Sequence, residues 1–106
     1  MKMYNPPYPG KLISETLEAL GIGIREFARA LNIAPSTAHR ILNGISVITP
    51  EMAVKLAVVL GSSPKFWLNL QDNYSLFLAE KNVDVTGLNR LIGFLHTTPL
   101  RTSDNP

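Results

Sequence analysis

Proline at the start and glycine at the end of successive short segments constrain this chain more than any other feature. Pro9, Pro35, Pro50 and Pro64 each stand just before an apolar pattern of helical period, and Gly21, Gly44 and Gly61 stand just after one. Proline fits the first helical position because its φ is already helical and its missing N–H has no partner there to lose. Glycine fits just past the end because it adopts the left-handed turn that closes a helix. The punctuation divides the chain into short helices, and no stretch shows the alternation of a strand. The first runs to Leu20 with a stripe of Leu12, Ile13, Leu17 and Leu20. The second spans Ile24 to Leu31, and a turn of Asn32, Ile33 and Ala34 leads to a third that begins at Pro35 and stops at Asn43-Gly44. Thr49 is the expected N-cap of the fourth, with Glu51 beside the positive helix end and Met52, Ala53, Leu56, Ala57 and Leu60 on its inner face. Ser63 and Pro64 open a fifth helix that continues to about Lys81. Beyond a hinge, Leu88, Leu91, Ile92 and Leu95 recur at helical spacing and predict a short last helix over about 87–96, followed by a frayed tail over 97–106.

A chain of 106 residues with 45% hydrophobic and 17% charged side chains is expected to fold as one domain around a packed core. The expected division is a domain over 1–81 and an extension over 82–106. Without cysteine there are no disulfides or thiolate metal sites. His39 and His96 lack the spacing of metal ligands, so neither metal nor cofactor is expected. The apolar runs are too short for a membrane span and the proline-rich beginning does not resemble a secretory signal, which points to a cytoplasmic protein. No phosphate loop, nucleophilic cysteine or paired carboxylates suggest catalysis. Ser36, His39 and Glu26 do not make a triad, because Ser36 and His39 share one exposed helical face. An enzyme is therefore not expected.

The segment 24–44 carries the chemistry. Phe27, Ala28 and Leu31 form one apolar stripe, and Ala38, Ile41 and Leu42 form another, so the two helices brace each other. The opposite face of the third helix presents Ser36, Thr37, His39, Arg40 and Asn43, the shape of a helix built to enter the major groove of DNA. Arg40 suits guanine O6 and N7 or a phosphate, while Ser36 and Thr37 sit where hydroxyls and free backbone N–H groups meet an anion. Thr37, His39 and Arg40 are the expected base contacts, and Ser36, Arg25 and Lys11 the expected backbone contacts. Asn43 reads better as a helix cap than as an adenine reader. Residues 1–60 carry six cations against four anions, whereas 61–106 balance four against four, so the formal excess of +2 lies with this segment.

These residues resemble a known family. PGKLI at 9–13, REFARALNIAPSTAHRILNG at 25–44, ITPEMAVKLA at 48–57 and SSPKFWLNLQDNY at 62–74 are similar to the HigA (VapI-like) antitoxins of the Xre/Cro-type helix-turn-helix family. The resemblance covers about two thirds of the chain, and FWLNLQ is its most specific part. It implies an all-α, five-helix bundle of the lambda-repressor-like kind with a short C-terminal extension. It also implies a homodimer that binds operator DNA, represses its own operon and neutralises a HigB-like mRNA endonuclease toxin. The alternative is a stand-alone Xre-type repressor with no toxin. The chain departs from the family pattern at Gly23 and Ala34, where relatives carry hydroxyl caps, and at Ile24, where the wider family places a phosphate-binding glutamine.

The fifth helix carries apolar residues on more than one stripe, more than packing on one side requires. It is expected to dimerise over about 63–81 through Phe66, Leu70, Tyr74, Phe77 and Leu78, with Trp67 in the core instead.

Overall fold

The computed structural model describes residues 6–92, which form five helices: α1 (Pro9–Leu20), α2 (Ile24–Leu31), α3 (Pro35–Leu42), α4 (Pro50–Leu60) and α5 (Pro64–Asn82). All-α architecture with four prolines at helix starts is what the punctuation demanded. The caps differ in strength. Thr49 Oγ1 accepts the Met52 N–H at 3.2 Å and Ser63 Oγ accepts the Phe66 N–H at 3.1 Å, whereas Gly23 and Ala34 supply no side-chain cap to α2 or α3.

The core draws on every helix: Ile13 and Leu17 from α1, Phe27, Ala28 and Leu31 from α2, Ala38 and Ile41 from α3, Ala53 and Leu56 from α4, and Trp67 from α5. Ile48, in the loop before α4, joins them. Burying each large apolar side chain contributes on the order of 1.5–3 kcal/mol, which is how helices of eight residues such as α2 and α3 persist when neither would form alone. Met52, Ala57 and Leu60 of α4 pack on the edge of this core. Trp67 lies inside it and its Nε1–H donates to the Gly61 carbonyl at 3.1 Å, so one indole both fills the core and closes α4.

Two expectations need correction. Leu20 is exposed, because Gly21 turns the chain away before that last residue of α1 reaches the core. Residues 87–92 of the expected last helix are not helical: α5 ends at Asn82, and Asp84 accepts the Thr86 hydroxyl at 2.7 Å and the Thr86 N–H at 3.0 Å in a turn. The Thr86 hydroxyl, and then its N–H, hold the Asp84 carboxyl below the usual carboxylate range. Leu88, Leu91 and Ile92 stay exposed, and a period alone makes no helix without a surface to bury it. Residues 93–96 of that segment, the tail 97–106 and residues 1–5 lie outside the described residues.

Candidate nucleic-acid interface

The site is α3 together with what holds it. Its inner face is fixed by Ala38 and Ile41 against the α2 stripe, which leaves Ser36, His39, Arg40 and Asn43 exposed and Thr37 half-buried. Between α2 and α3 the chain turns at Asn32, which adopts the left-handed conformation (φ 61°, ψ 48°) and returns its N–H to Arg29. Asparagine is among the few residues that tolerate this geometry, and the turn directs α3 across α2.

Both ends of α3 are informative. At its start Ala34 caps nothing and Pro35 has no N–H, so the Ser36 and Thr37 amides keep their hydrogen-bonding capacity for a ligand. At its end Asn43 occupies the cap position, its N–H donating to the His39 carbonyl at 3.0 Å, and Gly44 (φ 76°) makes the left-handed turn. The Arg40 carbonyl accepts the N–H groups of Ile45 and Ser46 at 2.9 and 3.1 Å, and Arg40 Nε reaches Ser46 Oγ at a long 3.4 Å. The guanidinium is thus steered by the following loop while its other nitrogens stay available. Ser46 is a partner that sequence reasoning missed, since a serine in a loop carries no signal of its own.

A clasp against α1 and α5 holds the same end of α3. Gly10 is buried with its Cα against the Ile41 and Leu42 carbonyls, so that a Cβ there would meet Leu42 O at 2.5 Å. Tyr8 lies over Gly44 and tilts against Tyr74, ring centroids 5.6 Å apart. Gln71, buried in α5, accepts the Ile48 N–H at 2.8 Å and donates through Nε2 to Ser75 Oγ at 2.9 Å. Gln71 is the glutamine of FWLNLQ. Its role is visible only once the loop after α3 is seen to need an acceptor.

The expected backbone contacts separate. Arg25 lines an open groove of about 290 Å³ with Ala28, Arg29, Asn32, Ile33 and Pro35, and so stands beside the start of α3. Lys11 instead pairs with Glu15 on α1 at 3.1 Å, an exposed ion pair worth at most ~1 kcal/mol and easily exchanged for another anion. Of the residues expected to dimerise, Phe66 and Leu78 are exposed, whereas Leu70, Tyr74 and Phe77 are half-buried. Phe66 stands edge-on to Trp67 at 5.1 Å, Leu70 packs on the core, Tyr74 is taken by Tyr8, and Phe77 lies under the Lys81 ammonium at 5.3 Å. Leu76, Val83 and Val85 add exposed apolar surface nearby. Among the described residues no cluster of acidic or histidine side chains forms a metal site, and no helix is long and apolar enough to cross a membrane.

Residues 13–67 match the model of the helix-turn-helix family, a match that takes in all of α2, α3 and α4. The chain belongs to the Xre-like helix-turn-helix family. Its relatives include HigA-type antitoxins. The uncharacterized HTH-type transcriptional regulator YddM of Escherichia coli is 60% identical over 92 residues, covering 87% of this chain and 98% of the relative. Among solved structures, the antitoxin GraA in complex with its operator superposes with a TM-score of 0.76 at 30% identity, over 87% of this chain and 97% of GraA. Pseudomonas aeruginosa antitoxin HigA with its higBA promoter gives a TM-score of 0.66 at 31% identity, over 74% and 96%.

Proposed function

We propose that this protein is a sequence-specific DNA-binding antitoxin that represses its own operon as a homodimer and neutralises a HigB-like mRNA endonuclease. The carrying observation is α3 itself: a buried inner face fixed by Ala38 and Ile41, an exposed outer face of Ser36, His39 and Arg40, and backbone amides at its start with no side-chain cap. Relatives of the same fold have been solved on operator DNA, which supports the same use of this helix. The family is one of DNA-binding regulators rather than enzymes.

In this reading α3 enters the major groove, Thr37, His39 and Arg40 meet base edges, and Ser36 with Arg25 meets phosphate. One short helix spans few base pairs, so two copies related by a two-fold axis would read an inverted repeat with half-sites about 34 Å apart. The exposed apolar surface of α5 and the segment after it, with Phe66, Leu76, Leu78 and Val83, supports dimerisation there. Lys11 serves as a backbone contact only after releasing Glu15.

A mobility shift on DNA upstream of the gene tests the reading, with an inverted repeat compared against a single half-site. Wild type is expected to bind the full repeat far more tightly. Arg40→Ala is expected to weaken binding by about 1–3 kcal/mol, roughly fivefold to more than a hundredfold. Equal affinity for both fragments would sink the dimer, and unchanged affinity of Arg40→Ala would remove Arg40 from the interface. A stand-alone repressor is the second reading, since the relative YddM is named only as an uncharacterized transcriptional regulator. Co-purification with the product of an adjacent small reading frame distinguishes the two: a stable complex supports the antitoxin, and none supports the repressor alone.

A further inference from the structure

A buried glutamine between two aromatic residues needs a reason. Trp67, Gln71 and Tyr74 recur on one side of α5 at helical spacing, with Trp67 and Gln71 buried and Tyr74 half-buried. Desolvating an amide in such a place is unfavourable unless both its groups are bonded. Gln71 Oε1 accepts the Ile48 N–H and its Nε2 donates to Ser75, so the amide grips the loop that leaves α3. That loop, 44–48, is held at both ends. The Tyr8 ring, itself against Tyr74, covers Gly44, and Gln71 takes Ile48. Ser46 lies between them and lines a cavity of only about 10 Å³ with Gly44, Ile48, Tyr8, Gln71 and Tyr74. That is the space of about one water molecule, too little for the loop to shift toward α5.

We infer that Gln71 is a positioning residue for base recognition: by fixing the loop 44–48 it places Ser46, and Ser46 aims Arg40. The inference rests on the DNA-binding reading of α3 and deepens it. Arg40 Nε lies 3.4 Å from Ser46 Oγ, and among the described residues no carboxylate lies within salt-bridge distance of that guanidinium. A guanidinium carries its five N–H donors in a rigid fork. With the Nε–H turned toward Ser46, the two terminal nitrogens are left together on the outer edge, the end that donates as a pair to guanine O6 and N7. An arginine that is free in solution gives up rotamer freedom to bind this way, whereas one already oriented has less to lose. The Arg40 carbonyl accepts the Ile45 and Ser46 N–H groups, so the same residue is tied to the loop through its backbone as well. In this way α5 acts on base reading although Gln71 itself stays inside the domain.

The test measures affinity for the operator and for operators in which each base pair of one half-site is replaced in turn. Wild type is compared with Arg40→Ala, Ser46→Ala, Ser46→Thr and Gln71→Leu, and with Ser46→Ala and Gln71→Leu each combined with Arg40→Ala. All are assayed at a temperature where circular dichroism shows them folded. The base pair at which Arg40→Ala loses discrimination is the one that Arg40 reads. At that pair Ser46→Ala and Gln71→Leu are each expected to lower discrimination by about two- to tenfold, the effect of leaving one arginine to be ordered on binding. Discrimination at the other pairs should stay as in wild type, and Ser46→Thr, which keeps the hydroxyl, should retain it throughout. With Arg40→Ala already present, neither substitution should lower it further. Unchanged discrimination in Gln71→Leu overturns the inference, whatever Ser46→Ala does, and so does a loss of affinity that is equal on every operator, which marks a merely structural role. A loss from Ser46→Ala that persists without Arg40 makes Ser46 a DNA contact in its own right and overturns it too, as does discrimination that depends on Arg40 at no pair. In each of these cases wild-type binding leaves the DNA reading standing. Failure of wild type to bind any upstream fragment overturns that reading as well.

Discussion

Replacing Gly10 with alanine sets two physical effects against each other, with opposite signs. Gly10 lies in the first turn of α1 and is buried against the last turn of α3. By helix propensity alone, alanine gains up to about 1 kcal/mol, because glycine loses more backbone freedom on folding. The structure predicts the reverse. The added Cβ meets the Ile41 carbonyl oxygen and lies 2.5 Å from Leu42 O and 2.7 Å from the Leu42 carbonyl carbon, roughly an ångström inside ordinary contact. These are backbone atoms and cannot rotate away, so α1 and α3 must separate. Backbone contacts this close put the overpacking cost near the upper end of its usual range, about 2–3 kcal/mol, and subtracting the propensity gain leaves a net loss of about 1–2 kcal/mol. For a domain of this size that lowers Tm by about 5–15 °C. Circular-dichroism melts of the two proteins measure it. Operator affinity, taken well below Tm, should fall too, since the displaced atoms belong to the helix that carries Arg40. A Tm equal to or above that of wild type would refute the close approach of α1 and α3.

Two further substitutions probe the clasp and the missing cap. Gln71→Leu leaves the buried Ile48 N–H without an acceptor and should cost about 1–3 kcal/mol, read in urea as a lower midpoint at an unchanged slope; a coincident unfolding curve would show that the bond contributes nothing. Ala34→Ser offers a hydroxyl to the free amides of Ser36 and Thr37 and should raise stability by about 1 kcal/mol in the same assay, whereas no gain would mean that those amides are already satisfied.

Much of the fold was legible because its signals are local. Pro9, Pro35, Pro50 and Pro64 mark helix starts for reasons confined to one residue, and the Thr49 hydroxyl finds its amide three residues on. The stripes of α2 and α3 likewise required only helical period, and they decided which side of α3 faces outward. The same method misplaced Leu20 and the segment 87–92, since a stripe shows what a helix would bury but not whether a neighbour is there to bury it.

The sequence by itself therefore determined the five helices, the inward faces of α2 and α3, and the set of polar residues that α3 presents. Tertiary structure alone decided how α3 is held. Gly10 against the Ile41 and Leu42 carbonyls, Gln71 against the Ile48 amide, Tyr8 on Tyr74, and Arg25 with Arg29 beside Pro35 join atoms from different helices or from loops. No period or spacing along the chain encodes such pairings. They exist because burying one core brings donors, acceptors and charges together, and each must then find a partner or remain open to a ligand.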